Sequence, residues 1–262
     1  MDDRDYTQFL AAVKRLSGVD LAQYKQQQMR RRLASFRDRH GFADFAALAA
    51  ALKRDDHLLR TFLDYVTINV SSFFRNPDQW KVLETRILPR LVREGGGTLS
   101  CWSAACSTGE EPYSLAMLLL RFRPAVRFEV LATDIDASVL ARAEEGWYDA
   151  AKVQEEVPSA LREAFFRQEG NHMRVDERVR RCVRFRRHDL LADPFPTGLD
   201  LIVCRNVMIY FTDEAKDRLY RQFHDALRPG GVLFVGSTEQ IFSPHRYGFA
   251  LEAPFFYRRV TA

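Results

Sequence analysis

The chain has 262 residues, so it can form one large domain, or a medium and a small one, without a disulfide or metal to stabilise the core. Hydrophobic residues make up 47% of it and charged residues 28%, which excludes a disordered chain, a collagen and a coiled coil. The formal net charge of +4 is too small to require a nucleic-acid partner.

Residues 1 to 66 carry apolar positions at helical spacing, with no strand pattern between them. Gly18 and Gly41 separate these stretches, and glycine is favoured where a helix stops. The pattern therefore predicts a small bundle of about four short helices. Asn76 and Pro77 then form a helix start, as N-cap and first turn, and the helix is expected to end at the glycines of 95–97.

From Thr98 onward, short apolar strands alternate with amphipathic helices, which predicts a parallel sheet with helices on both faces. The stretch from Trp147 to Arg187 interrupts this alternation. It contains a weak helix (Ser159–Phe166) and two strand-like pieces, HMRV and VRFR, and we interpret it as a small β-rich insertion. The expected limits are 1–75 for the helical domain and linker, 76–262 for the α/β domain, and 147–187 for the insertion.

Ligands of an open parallel sheet bind beyond the carboxyl ends of its strands, and four segments of this chain follow predicted strands. The first holds Glu110 and Glu111 in a turn of small residues without GxGxxG or GxxxxGK[ST]. These carboxylates suit a cationic ligand, or they complement the dipole of the following helix. In the second segment, Asp134 is positioned either to accept both hydroxyls of a ribose or to act as a cap, and Asp136 is expected to cap the next helix.

The other two segments carry weaker patterns. In CRNVMIYF, Asn206 is a candidate to meet a ligand amide or carboxylate. Tyr210 either presents its hydroxyl to a substrate or is a packed aromatic residue. In the loop after VRFR, Asp189 is a candidate contact for an adenine amino group.

The four cysteines include no CxxC pair, so we expect reduced thiols in the core rather than a zinc site or a disulfide framework. No apolar run approaches the roughly 18 residues of a membrane span, and the start MDDRDYTQFL lacks the pattern of a secretory signal. We therefore expect a cytoplasmic protein without membrane insertion and without a metal.

Four motifs occur in order along the chain: TINVSSFFR (Thr67–Arg75), WSAACSTGEEPYS (Trp102–Ser114), ATDID (Ala132–Asp136) and CRNVMIYF (Cys204–Phe211). Together they resemble the signature of the chemotaxis receptor glutamate methyltransferases, the CheR family. The resemblance implies a class I S-adenosylmethionine-dependent methyltransferase fold, Rossmann-like with a mostly parallel sheet, an N-terminal all-α domain and a small β-rich insertion. It also implies methyl transfer from S-adenosylmethionine to glutamate side chains of chemoreceptors, which gives glutamyl methyl esters in chemotaxis adaptation and S-adenosylhomocysteine as product.

Roles for single residues follow from the same resemblance. For this reaction Arg75 is the candidate to orient the substrate carboxylate, with Tyr210 to assist by a hydrogen bond; a surface or interdomain salt bridge is the alternative role for Arg75. The matched cofactor contacts are Asn69, Ser71, Arg75, Glu110, Asp134, Asp189, Leu190, Asn206 and Val207. The chain departs from the family at Asp189, where asparagine is usual. A carboxylate at this position can accept a hydrogen bond from the adenine N6 amino group, but it cannot donate one to N1.

A basic cluster on one predicted helix resembles the family's contact surface for the acidic, helical cytoplasmic region of chemoreceptors; a solvated helix face is the alternative. Its residues are Lys25, Arg30, Arg31, Arg32, Arg37 and Arg39. The arginines of the insertion, between Arg174 and Arg187, lie where the family can bind a receptor's tail peptide by strand addition. Two other functions stay open at this point: a nucleic-acid methyltransferase and a non-catalytic cofactor-binding scaffold.

Overall fold

The computed structural model describes residues 3–67, 69–96, 98–122 and 126–260. The chain divides into two compact units. The helical unit comprises Met1–Asn69 and Tyr210–Asp217, and the sheet unit comprises Val70–Ile209 and Arg218–Ala262.

Among the described residues of the helical unit, four α-helices form the predicted bundle. They are α1 (Asp3–Ser17), α2 (Gln26–Arg39), α3 (Phe45–Arg54) and α4 (Asp56–Val66). Asp44 and Asp55 begin α3 and α4, because their carboxylates accept hydrogen bonds from N–H groups of the first turn. Gly18 and Gly41 follow α1 and α2 with φ of +81° and +74°, a left-handed conformation that costs glycine little. The fully buried rings of the bundle are Phe9, Phe36, Phe45 and Phe62.

The later segment of the helical unit, Tyr210–Asp217, packs against the residues that precede α2. The ring of Phe211 packs edge-on against Tyr24, with 5.1 Å between centroids. The Thr212 N–H donates to the Gln23 carbonyl at 2.9 Å. A stretch that lies far along the chain is thus part of the helical unit.

The helix predicted after Asn76 is present and contains a π-helical turn. The segment α5 (Pro77–Val82) continues through the π turn at Leu83–Ile87 into α6 (Leu88–Glu94). Asn76 occupies the N-cap position with φ of +61°, but its side chain does not cap the helix. That part of the prediction is wrong because the Asn76 Oδ1 atom accepts a hydrogen bond from Arg205 instead. Of the predicted glycine stop, Gly97 lies outside the described residues.

Strands and helices alternate through the rest of the chain as predicted. The strands are β1 (Thr98–Ala104), β2 (Arg127–Asp134), β3 (Trp147–Asp149), β4 (Phe166–Glu169), β5 (His172–Val175), β6 (Val183–Arg187), β7 (Leu199–Cys204), β8 (Leu227–Val235), β9 (Phe249–Ala253) and β10 (Phe256–Arg259). The helices are α7 (Glu110–Arg121), α8 (Ala137–Glu145), α9 (Ala150–Glu156), α10 (Ser159–Phe165), α11 (Glu177–Arg180) and α12 (Asp213–Ala226).

Within the described residues, one seven-stranded sheet has the order β6-β2-β1-β7-β8-β10-β9. The strands from β6 to β8 pair in parallel, whereas β10 runs antiparallel to both of its neighbours. The sheet is therefore mostly parallel, and the predicted fold class is confirmed. Because the strand order reverses between β1 and β7, the residues that follow these strands border the crevice where such sheets bind ligands.

The strands of the inserted segment differ from the two that were predicted. In the described part of the chain it forms one three-stranded antiparallel sheet, with β5 between β3 and β4. The VRFR strand, which we assigned to the insertion, instead pairs in parallel with β2 as the edge strand of the large sheet. Its alternation of inward Val183 with exposed arginines is typical of any half-buried edge strand, and such alternation does not specify which sheet the strand joins.

All four cysteines are free thiols; Cys101, Cys106 and Cys204 are buried, which confirms the expected core role for these three. Across the described residues, no helix has both the length and the apolar character needed to cross a bilayer.

Candidate active site

The turn after β1 has an unusual backbone. Ala105, Ser107 and Gly109 all have positive φ, at 64°, 49° and 94°. A Cβ atom at Gly109 would lie 2.9 Å from the Ala143 Cβ atom, so only glycine fits there. The Ser107 N–H donates to the Asp134 Oδ2 atom at 2.8 Å, while its buried hydroxyl has no hydrogen-bond partner in the described chain. The turn thus ties the end of β1 to the end of β2 and leaves a polar atom available to a ligand.

Glu110 is the first residue of α7, and its side chain is only 1% exposed. Its carboxylate accepts hydrogen bonds from the Thr108 hydroxyl at 2.7 Å and from the Lys152 ammonium at 2.5 Å. Lys152 also donates to the Ser71 carbonyl at 2.9 Å, which brings Ser71 and Glu110 to the same cation. Glu110 therefore lies at the N-terminus of α7, where a carboxylate complements the helix dipole. It is also the buried carboxylate of this turn.

Asp134 ends β2 and is 6% exposed. Its carboxylate accepts from the Ser107 and Asp136 N–H groups, at 2.8 Å and 3.0 Å. Burial raises the pKa of Asp134 to about 6, despite these two hydrogen bonds. Asp136 accepts from the N–H groups of Ser138 and Val139 at the start of α8, so its predicted capping role is confirmed.

The loop after β6 contains Asp189 and the buried Leu190. The Asp189 Oδ1 atom accepts from the Leu191 N–H at 2.8 Å, and the Asp189 N–H donates to the Asp193 carboxylate at 2.9 Å. Burial raises the pKa of Asp189. One side-chain oxygen is thus engaged in the loop's own turn, and the other accepts no hydrogen bond from the described residues.

The loop after β7 is organised around Glu239, a residue that the sequence analysis missed. Glu239 is 5% exposed, and its Oε2 atom accepts from the N–H groups of Asn206 and Gly236, at 2.5 Å and 2.9 Å. Its Oε1 atom accepts from the N–H groups of Val207 and Met208, at 2.9 Å and 2.7 Å, and more distantly from the next residue. The carboxylate therefore fixes the Asn206–Val207 backbone, where Asn206 has a left-handed φ of +60°. The strand-end rule would have found it, since Glu239 follows β8.

Arg205 links this loop to the segment before α5. Its side chain is 2% exposed, and the Nη2 atom donates to the Arg75 carbonyl at 2.7 Å and to the Gln79 side chain at 2.9 Å. The guanidinium also lies over the Phe234 ring, 4.7 Å from its centroid. Arg205 thus fixes the backbone of Arg75. The Arg75 side chain itself has no hydrogen bond or ion pair within 4 Å among the described residues.

Glu111 lies beside these two arginines. It accepts from the Ser103 hydroxyl at 2.8 Å, and its Oε2 atom is 4.0 Å from the Arg205 guanidinium. Burial raises the pKa of Glu111 to about 7, while attraction to Arg205 and Arg75 opposes the rise. The positive field around Arg75 is therefore partly balanced by a carboxyl group that titrates near neutral pH.

Two of the predicted site residues belong to the helical unit. The Asn69 side chain donates to the Thr67 hydroxyl at 3.1 Å, and the Tyr210 carbonyl accepts from the Lys25 N–H at 2.8 Å. The predicted residues of the sheet unit all follow strand ends or lie in the segment before α5. These are Ser71, Arg75, Glu110, Asp134, Asp189, Leu190, Asn206 and Val207.

Comparison with known proteins assigns this constellation to a family. Residues 69–253 match the CheR methyltransferase, SAM binding domain, and residues 4–67 match the CheR methyltransferase, all-alpha domain. The chain belongs to the CheR methyltransferase family. It is 47% identical over 255 residues to a chemotaxis protein methyltransferase of Listeria monocytogenes, covering 97% of each chain, and 46% identical to that of Listeria innocua with the same coverage. The Escherichia coli chemotaxis protein methyltransferase is 33% identical over 98% of this chain and 91% of its own length.

The cofactor of this CheR protein is S-adenosylmethionine, and the residues present fit it. The cofactor carries a sulfonium cation, an ammonium group and a ribose diol, which are hydrogen-bond donors or positive charges. Glu110 and Asp134 are buried carboxylates, of which the first follows β1 and the second ends the adjacent strand β2. Ser107, in the same turn as Glu110, donates its N–H to Asp134 and has a buried hydroxyl without a partner among the described residues. The positive φ values of this turn suit a close approach of its backbone to a nucleoside.

The arginines of the basic cluster in the helical unit differ in their contacts and in their exposure. The Arg30 guanidinium lies over the Tyr6 ring, and Arg32 donates to the Tyr65 carbonyl. Arg37 is paired with Asp38 and is only 17% exposed, whereas Arg31 is exposed. In the insertion and beside it, Arg178, Arg181 and Arg184 pair with Asp176, Glu177 and Glu129.

Proposed function

We propose that this methyltransferase transfers the methyl group of S-adenosylmethionine to glutamate carboxylates in the helical cytoplasmic region of chemoreceptors, and that it acts in the cytoplasm. The observation that carries the proposal is that the Arg75 side chain is unpaired in the described part of the chain. It has no ion-pair partner among the described residues, yet Arg205 and Trp80 hold its backbone carbonyl. An unpaired guanidinium on a fixed backbone is suited to orient an incoming carboxylate.

The reaction needs no general base from the protein. A glutamate side chain has a pKa of about 4.3 and is already ionised at neutral pH. One carboxylate oxygen forms a bond to the methyl carbon as the carbon–sulfur bond breaks, and the sulfonium becomes a neutral thioether. No proton moves, so alignment of the carboxylate and exclusion of water supply the rate enhancement.

Arg75 must position the nucleophile without removing its charge. A guanidinium that bound both oxygens tightly would lower their nucleophilicity. Glu111 counteracts this, because its carboxyl group interacts electrostatically with Arg75 and weakens the local positive field. The pair supports a role for Arg75 in orientation rather than neutralisation.

Other assignments rest on the family resemblance together with the local contacts. Glu110 is proposed to face the charged end of the cofactor and Asp134 the ribose hydroxyls. Asp189, Leu190, Asn206 and Val207 are proposed to contact the adenosine. Asn69 is proposed from the resemblance alone, and Tyr210 is proposed from the chemistry of its hydroxyl as a hydrogen-bond donor to the substrate carboxylate.

For the partner, we propose that the exposed part of the basic cluster on α2, around Arg31, contacts acidic receptor helices. The outer strands β3 and β4 of the insertion are proposed to accept a receptor tail peptide by strand addition. A nucleic-acid methyltransferase is not favoured, because several arginines of the insertion region are engaged with neighbouring carboxylates.

The test uses purified protein, methyl-labelled cofactor and a receptor cytoplasmic fragment. Label released as methanol by mild alkali is expected, since carboxyl methyl esters hydrolyse readily. Label that survives alkali would indicate N-methylation or nucleic-acid modification, and no transfer at all would favour a scaffold.

The residue that carries the proposal is tested by Arg75→Ala, with Arg86→Ala, an exposed arginine of the π turn, as matched control. Arg75→Ala should keep cofactor affinity within a few-fold and lower turnover at least about 100-fold, as expected for loss of a positioning charge. Arg86→Ala should behave as wild type. Unchanged turnover of Arg75→Ala would refute the assigned role.

A further inference from the structure

Lys152, in helix α9 of the insertion, joins two parts of the sheet unit that are distant in sequence. Its ammonium group donates to the Glu110 carboxylate at 2.5 Å and to the Ser71 carbonyl at 2.9 Å. The side chain is 33% exposed, whereas Glu110 is 1% exposed. The insertion thus contributes a cation directly to the buried anion of the turn after β1.

A second residue of α9 reinforces this arrangement. Glu156, one helical turn after Lys152 and so on the same helix face, accepts from the Phe73 N–H at 2.8 Å. Lys152 and Glu156 therefore hold the segment of Ser71 to Phe73 at two points. The Lys152 ammonium is held in place by two acceptors, the Glu110 carboxylate and the Ser71 carbonyl.

A fixed positive charge next to Glu110 has a specific consequence for the two nucleosides that the enzyme binds. S-adenosylmethionine and S-adenosylhomocysteine share the adenosine, the amino group and the carboxylate. They differ by one methyl group and by the positive charge on sulfur, which only the cofactor carries. A charge in the pocket therefore acts on the difference between their affinities, and it does so even where it does not touch the sulfur.

We propose that Lys152 sets the preference of this enzyme between the charged cofactor and its neutral product. Its cation offsets the negative charge of Glu110 and so lowers the affinity for the sulfonium relative to the thioether. The proposal rests on the proposed position of Glu110 at the charged end of the cofactor.

Calorimetry with each nucleoside alone tests the proposal without any protein substrate. Lys152→Gln removes the charge but keeps a hydrogen-bond donor, and Lys152→Arg keeps the charge. The matched control is Lys14→Gln, which removes the exposed Lys14–Asp20 ion pair of the helical unit. The measured quantity is the Kd of S-adenosylhomocysteine divided by that of S-adenosylmethionine.

In Lys152→Gln this ratio should rise about fivefold, in favour of the charged cofactor, as expected for loss of one positive charge in a partly screened site. Lys152→Arg and Lys14→Gln should keep the wild-type ratio. A merely structural role for Lys152 would weaken both nucleosides equally, and an unchanged or lowered ratio would overturn the proposal. Loss of both nucleosides in Lys152→Gln at wild-type thermal stability would also overturn it, since the lysine would then serve binding rather than discrimination.

The variant Glu110→Gln tests the proposed placement of Glu110 at the cofactor separately from the role of Lys152. If Glu110 faces the cofactor, the variant should bind both nucleosides at least about tenfold more weakly. Wild-type affinity in Glu110→Gln would refute the placement itself. A weakened Glu110→Gln together with an unchanged ratio in Lys152→Gln would refute only the role of Lys152.

Discussion

Glu111→Gln is expected to stabilise the protein, and to do so increasingly as the pH rises. Glutamine has almost the same shape as glutamate, and its side-chain oxygen can still accept from the Ser103 hydroxyl. It resembles the protonated form of Glu111, which burial favours by raising the pKa from 4.5 to about 7. The attraction of Arg205 for the charged form is already contained in that pKa, since it is one of the opposing effects.

The magnitude follows from linkage. Because the pKa of Glu111 is raised on folding, the folded state holds this proton more tightly, and its stabilising effect is lost as pH rises from 4.5 through about 7. At about 1.4 kcal/mol per pKa unit, the full cost of the buried carboxylate is about 3 kcal/mol. Between about pH 5.5 and about pH 8.5, the advantage of Glu111→Gln over wild type should therefore grow by about 2 kcal/mol.

Urea unfolding of both proteins at the two pH values measures this difference. All three tryptophans, Trp80, Trp102 and Trp147, lie in the sheet unit, so their fluorescence reports the unfolding of the unit that contains Glu111. Glu129→Gln, at an exposed position of β2, is the matched control and should give no pH-dependent gain. A constant difference between Glu111→Gln and wild type at both pH values would refute the reasoning.

Three further predictions concern residues that shape the site. Glu239→Gln replaces one acceptor oxygen by a donor that faces backbone N–H groups, so calorimetry should show cofactor affinity lowered about tenfold; wild-type affinity would contradict the role of Glu239. Arg205→Lys cannot reach all acceptors of the guanidinium at once, so turnover should fall about tenfold while the cofactor Kd stays within a few-fold; full turnover would show that Arg75 does not need this support. Gly109→Ala places a Cβ atom 2.9 Å from Ala143 at a φ of +94°, so urea unfolding should show a loss of about 2 kcal/mol or more, and a smaller loss would mean that the turn relaxes.

The sequence predicted the parts of the fold that depend on periodicity and chain order. The helices of residues 3–66 and the alternation of strands and helices after Thr98 both follow from local patterns. The VRFR strand was assigned to the insertion because alternation reveals a half-buried strand but not its partner. Sheet membership depends on pairing with β2, which is a tertiary property.

In the candidate site, too, some residues could be selected from local sequence and others only from tertiary contacts. Asp134 and Glu110 could be selected from sequence because each follows a strand, and the strand-end rule needs only local information. Lys152 and Arg205 could not, since their importance lies in acceptors that come from distant segments, such as the carbonyls of Ser71 and Arg75. Glu239 follows β8 and could have been selected by the same rule, but no motif marks its role, which is to accept hydrogen bonds from backbone N–H groups.

The return of Tyr210–Asp217 to the helical unit limits how this enzyme can be divided. A chain that began at residue 70 would keep every strand but would leave the Phe211 ring, now 2% exposed, without Tyr24 to cover it. A gene segment that encodes residues 70–262 alone therefore encodes a protein with an uncovered aromatic ring. Recombination that exchanges the first 69 residues for those of another protein would have to preserve a surface that fits Tyr210–Asp217, so these two segments of the helical unit are constrained to evolve together.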